Sequence, residues 1–575
     1  MNLATRMLIA AATLTLSTIS VASHAQTMAQ QQTSATAAAG KGVVSSADPR
    51  ATAAGQEILR KGGSATDAAM AMMLALTVVE PQSSGIGGGG LLMHHDAASG
   101  QLQTIDGREM APASASEKLF VGADGKPLRF IDAFQGGRSV GVPGNIRLMA
   151  MAHAKWGKLP WADLFGPAIR LADEGFVVTD VLANGLSRLA SIWARFPDAR
   201  AIYWNANGPK VAGDRVTNPA LAELLSAVAK GGPDAFYTGK HGQALADAVS
   251  RSAVNPAAMT MADLAAYKAR ERPPICSRYR GYKICGMGPP SSGATTVQQI
   301  LGMLQPHDIG AMGQDDARTW HLIGEAMQLA YADREQYLGD ADFVQVPVNG
   351  LLDPAYVASR AALIDPAKAL NTYTAGTPPG AQPRTAAISS EMAGTTHFVA
   401  VDGAGNIVSM TSTVEGPFGS QLIANGYFLN NELTDFTFAR EKNGAPVANR
   451  VQPGKRPLSS MSPHIVYDAA DRPVLAVGSA GGKRIIMHVT KALIGVIDFG
   501  LPAGEALALP NIYFGNGSLI VEEDTKLGSM NAALAAFGQP VVVSDLGSKL
   551  NAAQFRDGAW TGVADPRSPG VALTE

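Results

Sequence analysis

Apolar residues change their spacing along the chain. Up to about residue 393 they recur mainly at helical intervals, and beyond it they fall in short alternating runs bounded by Gly, Asn and Asp. In the first part "DPRATAAGQEILRKGG" predicts a helix ending on Gly. "SATDAAMAMMLALTVVEP" opens with a Ser64-x-x-Asp67 capping box and is apolar nearly all round, as an enclosed helix is. "NPALAELLSAVAKGG" has Asn218 as cap and Pro219 at the first helical position. "RTWHLIGEAMQLAYADREQYLG" reads as a long amphipathic helix. After residue 393, "THFVAVD", "NIVSMTSTV", "HIVYD" and "PVLAVGSA" read as strands, and "IIMHVTKALIGVIDFG" as one following helix. Neither part makes a complete layered structure alone. The expectation is one intertwined globule with sheets packed between helical layers.

Two hairpins can be counted out residue by residue. In "CSRYRGYKIC" a two-residue turn at Arg280-Gly281 pairs 279 with 282 and sets Cys276 opposite Cys285. At a non-hydrogen-bonded position such Cα atoms lie about 4.5 Å apart, within disulfide range. A structural disulfide is expected, with two reduced cysteines in an altered register as the alternative. In "EMAGTTHFVAVDGAGNIVSMTST" a loop from Asp402 to Asn406 makes Val401 face Ile407 and sets Thr395 opposite Thr413. A loop shifted by one residue breaks that match.

Composition narrows the function classes. The 575 residues are 46% hydrophobic, and 46 basic against 48 acidic residues leave a net charge of −2. No basic stripe stands out, which argues against nucleic acid or anionic lipid as the main partner. Residues 1–25 carry a signal-peptide pattern: Arg6, an apolar stretch, and "SHA" ending at Ala25. A membrane anchor is the competing reading, but the apolar stretch is short and rich in Thr and Ser. Export to the periplasm or medium is expected, with residues 26–40 as a disordered leader. "GIGGGG", Gly85 to Gly90, spells a dinucleotide fingerprint but precedes a strand-like run, so it offers no phosphate-binding helix terminus. His94 and His95 read as an exposed pair in a loop rather than as metal ligands.

Gly394-Thr395 poses the chemical question. A Thr hydroxyl needs a base, and no Ser/His/Asp arrangement is apparent. A free α-amine, with a pKa of about 7.7–8.0, can serve. Scission between Gly394 and Thr395 creates that amine and exposes the hydroxyl together, and a residue without Cβ suits the cut. The competing reading is an ordinary cross-strand Thr–Thr pair after a turn glycine.

At this point the residues resemble the γ-glutamyltransferase family of N-terminal nucleophile hydrolases, over nearly the whole mature chain. "GTTHFVAVD" resembles its processing site, "LNNELTDF" and "KRPLSSMSP" its substrate loops, and "VGSAGGKRII" its oxyanion segment. "EILRKGGSATDAA", "IDGREMAP", "GVPGN" and "GPPSSG" follow the family's order upstream. The resemblance implies an α/β, four-layer αββα sandwich. It implies a large subunit from about Gln26 to Gly394 and a small one from Thr395 to Glu575. Thr395 matches the nucleophile, Thr413 its supporting hydroxyl, and Gly481 and Gly482 the backbone oxyanion donors. Arg108 matches the group that grips the donor's α-carboxylate, assisted by Ser459 and Ser460. Glu415, Glu432 and Asp435 match positions around its α-ammonium. Glu415 stands where some relatives carry Asn, and 436–451 is where some carry a longer lid. Thr396 is a rival nucleophile that only the motif alignment rejects, and His397 reads as structural.

The implied activity transfers a γ-glutamyl group from glutathione or a related donor to water, an amino acid or a peptide, with no metal or organic cofactor. One alternative is a related acylase that removes a glutaryl-type chain from a β-lactam or other amide. Another is a non-catalytic periplasmic binding protein on the same scaffold.

Overall fold

The structure, a computed structural model, describes residues 42–386, 394–439, 441–442, 444–515 and 517–575. The expected signal peptide (1–25) and leader (26–40) lie outside the described residues, as does 387–393 just before Gly394. Two main sheets are built from β1 (Val43–Ser46), β2 (Gly89–His95), β3 (Leu102–Gly107), β4 (Arg270–Arg272), β5 (Ile275–Tyr279), β6 (Tyr282–Gly286), β7 (Gly394–Val401), β8 (Ile407–Glu415), β9 (His464–Tyr467), β10 (Pro473–Gly478), β11 (Asn551–Arg556), β12 (Ala559–Ala564) and β13 (Val571–Thr574). The first sheet has seven strands in the order β13-β1-β7-β8-β2-β3-β4, and the second has six in the order β12-β11-β10-β9-β6-β5. Each sheet thus combines strands from before and after residue 394.

Helices α1 (Pro49–Arg60), α2 (Ala65–Val79) and α3 (Asn145–Trp156) cover the outer face of the first sheet. Helices α4 (Gly293–Leu304) and α6 (Arg484–Ile497) cover the second, with α5 (Ala317–Tyr337) packed behind α4. Val43, Met93, Val399, Val401, Ile407, Ile465, Tyr467 and Ala476 fill the space between the sheets. The result is the four-layer αββα sandwich. Along β7, Phe398 and Ala400 join the helix-side core while Val399 and Val401 join the inter-sheet core. That period of two sends Thr396 toward the helices and Thr395 toward the second sheet.

The local signals hold where they were strongest. Helix α2 carries the Ser64–Asp67 capping box, and all 15 of its residues are buried. Each large apolar side chain so enclosed contributes roughly 1.5–3 kcal/mol. Asn218 caps the helix Pro219–Gly231, accepting from Leu221 N–H at 3.2 Å. Arg280 and Gly281 take φ of 50° and 87°, as a tight hairpin turn requires. Cys276 therefore faces Cys285, and the disulfide forms with Cα atoms 4.1 Å apart.

Two expectations need correction. His94 and His95 do not lie in an exposed loop: both sit in β2, 2% and 4% exposed. Alternation puts them on opposite faces, and both faces are covered. His94 stacks on Trp156 with ring centroids 4.1 Å apart, while His95 Nδ1 lies 3.2 Å from the Tyr467 hydroxyl. Burial pushes the His94 imidazole down to about 4, so it is neutral. Second, the part after residue 393 holds short helices, Ala503–Ala508, Lys526–Ser529 and Asn531–Ala535, besides the one read from the pattern. Four to six residues are too few to show a helical period.

Candidate active site

Several strand ends meet at one edge of the sandwich. β7 begins at Gly394 beside the end of β8, and Gly89 at the start of β2 pairs with Thr413. Gly90 pairs with Gly107, which places Arg108 just past β3 at the same end. In the second sheet His464 pairs with Val477, so the segment entering β9 lies beside the turn leaving β10. Residues far apart in the chain thereby line one cleft: Arg108, Thr395, Thr413, Glu415, Glu432, Asp435, Ser459, Ser460, Met461, Gly482 and Ile485. Of the residues singled out in the sequence as site residues, Gly481 is not part of this lining, while its neighbour Gly482 is. No residue of 436–451 is in the lining among the described residues; Glu441–Lys442 and Ala445–Pro446 pair as a short hairpin instead.

The glycine run 85–90 serves close packing. A Cβ on Gly88 would lie 1.9 Å from the Thr413 carbonyl oxygen, and one on Gly87 2.0 Å from that of Phe428. Only bare backbone lets the segment entering β2 approach Thr413 and Phe428 this closely. Gly394 is constrained likewise, since a Cβ there would lie 2.5 Å from the Glu415 carbonyl oxygen.

The counted register holds down to Thr395 opposite Thr413, then slips in a bulge that sets Gly394 opposite Glu415. Thr413 Oγ1 lies 2.8 Å from the Gly394 carbonyl oxygen and 3.2 Å from Thr395 Oγ1, and it accepts from Glu415 N–H at 2.8 Å. A hydroxyl has one proton to give and two lone pairs. Its proton goes to the Gly394 carbonyl, which can only accept, so the Thr395 hydroxyl donates to Thr413. Thr395 is 4% exposed, at the floor of the cleft. Thr396 points the other way and bonds to Glu80 at the end of α2, which Lys549 also holds at 2.7 Å. His397 bonds to Thr411 at 2.9 Å, and burial, aided by His464, pushes it down to about 3.

Arg108 is 1% exposed and meets the acids directly. Its Nη1 donates to Glu432 and its Nη2 to Asp435, while Nε and Nη2 donate to the carbonyls of Pro457 and Leu458 at 3.2 and 2.9 Å. Burial lowers the affinity of this guanidinium for its proton, but Glu432, Asp435 and Glu109 outweigh that and keep it charged. Glu109 is fully buried, 3.8 Å from Arg108 Nη1. Burial pushes its carboxyl up to about 7 against the pull of Arg108, and burial likewise raises Glu432. A carboxyl whose folded pKa lies above its ordinary 4.5 stabilises the fold at low pH, and that contribution is lost as pH rises toward 7. The Glu109→Gln variant should therefore show a flatter decline in melting temperature between pH 5 and 7.5 than the parent; an equal decline in both would show that Glu109 does not titrate there.

Other side chains of the site escaped the sequence reading. Ser459 N–H donates to the Pro290 carbonyl at 2.9 Å, and the Ser459 carbonyl accepts from Ser292 N–H and Oγ, each at 2.8 Å. "GPPSSG" is thus the clasp that holds the serine loop. Arg334, fully buried in α5, donates to Ser460 Oγ at 2.6 Å and to Ser292 Oγ at 2.9 Å. Its signal was an Arg on the helix stripe of Ile323, Met327 and Ala330, where an apolar residue is expected. Asn431 bonds to the Glu415 carboxylate and accepts from Gly416 N–H at 2.9 Å. It thereby holds Glu415 at a φ of 76°, a backbone state few side chains adopt.

Known proteins share this architecture. The family pattern described as gamma-glutamyltranspeptidase matches residues 51–574. The chain is 37% identical over 543 residues to the glutathione hydrolase proenzyme of Escherichia coli (strain K12), covering 92% of this chain and 90% of that one. It is also 37% identical over 545 residues to the acylase ACY 1 proenzyme of Pseudomonas sp. (strain SE83), covering 93% and 94%. The crystal structure of cephalosporin acylase from Bacillus halodurans superposes with a TM-score of 0.83 at 26% identity, covering 93% of this chain and 96% of that one. Sequence and architecture agree, and the chain belongs to the γ-glutamyltranspeptidase family.

Proposed function

We propose that this chain is an exported, self-cleaving γ-glutamyltransferase and hydrolase whose nucleophile is Thr395. One observation carries the reading: the hydroxyl pair Thr395–Thr413, 3.2 Å apart, shares a cleft with the buried Arg108–Glu432–Asp435 cluster. In the uncut chain the Thr395 hydroxyl attacks the Gly394 carbonyl carbon, whose oxygen Thr413 polarises. The C–N bond breaks as the C–O bond forms, the Thr395 nitrogen becomes an amine, and water then splits the ester. This leaves subunits of about 26–394 and 395–575. Because β7 lies between β1 and β8, the new N-terminus stays seated in the sheet after the cut.

The mature site then acts on a donor. Arg108 offers a planar fork to the α-carboxylate, assisted by Ser459 and Ser460, and the α-ammonium meets Asp435, Glu432 and Glu415. Arg108 pairs with Glu432 and Asp435 across this cleft, and a bound zwitterion takes over both halves of that pairing. Holding the α-carbon at both charges sets the γ-carbonyl beside Thr395. The α-amine of Thr395 takes the hydroxyl proton, Oγ1 adds to the γ-carbonyl, and the oxyanion meets the N–H groups of Gly481 and Gly482 at the N-terminal end of α6. Collapse returns the proton to the departing amine and leaves a glutamyl ester for water, an amino acid or a peptide to open. Glutathione as donor is supported by the name of the Escherichia coli relative.

Export is supported by the signal-peptide pattern; no helix among the described residues is long and apolar enough to cross a membrane. The acylase reading has a relative of equal identity behind it. A glutaryl chain, however, has no ammonium for the buried acids. Rates on γ-glutamyl and glutaryl anilides decide: γ-glutamyl release should be faster by at least about 100-fold, as loss of a charged contact worth about 3 kcal/mol implies. Faster glutaryl release would overturn the donor assignment, and donor binding by an uncut chain without turnover would favour a binding protein.

A further inference from the structure

The turn Ala480–Gly481–Gly482 joins β10 to α6, and a residue outside every motif supports it. His488, in the second turn of α6, is 2% exposed. Its Nδ1 lies 3.2 Å from the Ala480 carbonyl oxygen and 3.0 Å from Ser479 Oγ, whose own hydroxyl donates to that carbonyl at 3.2 Å. A carbonyl only accepts, so the proton resides on Nδ1 and is donated there. The ring also packs beneath Gly481, where a Cβ would come within 3.1 Å of His488 Cε1. Burial, with the charges of Lys491 and Arg484, holds this imidazole well below its ordinary pKa, so it stays neutral.

In a trans peptide the C=O and N–H point in opposite directions. With the Ala480 carbonyl drawn back onto α6, the N–H of the same peptide, which is Gly481's, turns away from that helix. On the other side of the turn, Ile485 N–H donates to the Gly482 carbonyl at 3.0 Å and the Tyr331 hydroxyl to that of Lys483 at 2.5 Å. Gly481 and Gly482 take φ of 133° and 59°, so the pair has many peptide orientations open to it unless a neighbour selects one. We propose that His488 is a positioning residue whose bond to Ala480 selects the orientation that turns the Gly481 N–H toward Thr395, and so preforms the oxyanion site. This rests on the acyl-transfer reading above.

Three variants test it. His488→Asn keeps an N–H close to the Nδ1 position, His488→Gln moves it outward, and His488→Leu removes it. On a γ-glutamyl anilide, kcat should fall about 10- to 100-fold for the Leu and Gln variants, in the range of a misplaced oxyanion donor, and stay within about threefold for Asn. Inhibition by L-norvaline, which has the α-groups but no γ-carbonyl, should change less than about twofold throughout, because His488 lies outside the α-carbon contacts. Thermal melting checks each fold, and if the Leu variant does not fold the Gln variant carries the comparison. Parental kcat in the Gln variant, an equal loss in the Asn and Gln variants, or norvaline binding that weakens in step would overturn the proposal. Failure of the parent enzyme itself to release anilide would instead overturn the acyl-transfer reading.

Discussion

Purified Thr395→Ala protein is expected to be one uncut chain with turnover reduced at least about 10⁴-fold, the scale of losing a nucleophile outright. The parent should give two fragments meeting at Gly394/Thr395 by intact-mass analysis. One substitution should remove both properties because, in the proposed mechanism, one hydroxyl serves both steps and the second step needs the amine that the first creates. Thr395→Ser keeps a hydroxyl and should still be cut, more slowly. Thr396→Ala is the sharper control: its side chain lies on the opposite face of β7 against Glu80, so cleavage and turnover should persist. Its cost is one buried hydrogen bond, about 1 kcal/mol of stability. Cleavage at Gly394 in the Thr395→Ala chain would end the proposal.

Arg108→Leu should be the most damaging substitution among the charged residues of the cleft. Arg108 is the cation that Glu109, Glu432 and Asp435 share, with each side chain at most 6% exposed. Stranding buried carboxylates by removing their partner costs roughly 3–5 kcal/mol. That loss should shrink as pH falls. Burial already raises Glu432 and Glu109 above the ordinary carboxyl range, and loss of Arg108 raises them further. They then fold protonated and neutral in acid, but carry an unpaired charge as pH rises. Denaturation at pH 5 and pH 8 should show the smaller deficit at pH 5. At either pH, kcat/KM for a γ-glutamyl anilide should fall about 10³-fold, while Arg108→Lys keeps more stability than activity because an ammonium lacks the planar fork. A deficit that does not change with pH would mean that those carboxyls stay ionised.

The parts of the site that sequence made legible share a local origin. Counting outward from the Asp402–Asn406 loop was enough to bring Thr395 opposite Thr413, because antiparallel pairing between adjacent strands depends only on the turn. The Cys276–Cys285 match is the same argument on a tighter hairpin. His94 and His95 failed because nothing near them in the chain reveals that Trp156 covers one face of β2 and Tyr467 the other. Arg334 and Asn431 went unassigned because their partners lie on other elements. The resemblance supplied the remaining site residues as types and order, without the direct pairing of Arg108 to Glu432 and Asp435.

By itself the amino-acid sequence determined the helices with strong caps, the two hairpin registers, the disulfide and the family. These depend on backbone propensities and on neighbours a few residues apart, which any stretch of chain carries with it. Tertiary structure alone decided that the ends of β3, β7, β8, β9 and β10 meet at one edge, and that His488 of α6 bonds back to the Ala480 carbonyl beside the Gly481–Gly482 turn. Those contacts span up to several hundred residues, and their geometry exists only once burial of the two sheets has fixed where each strand stops.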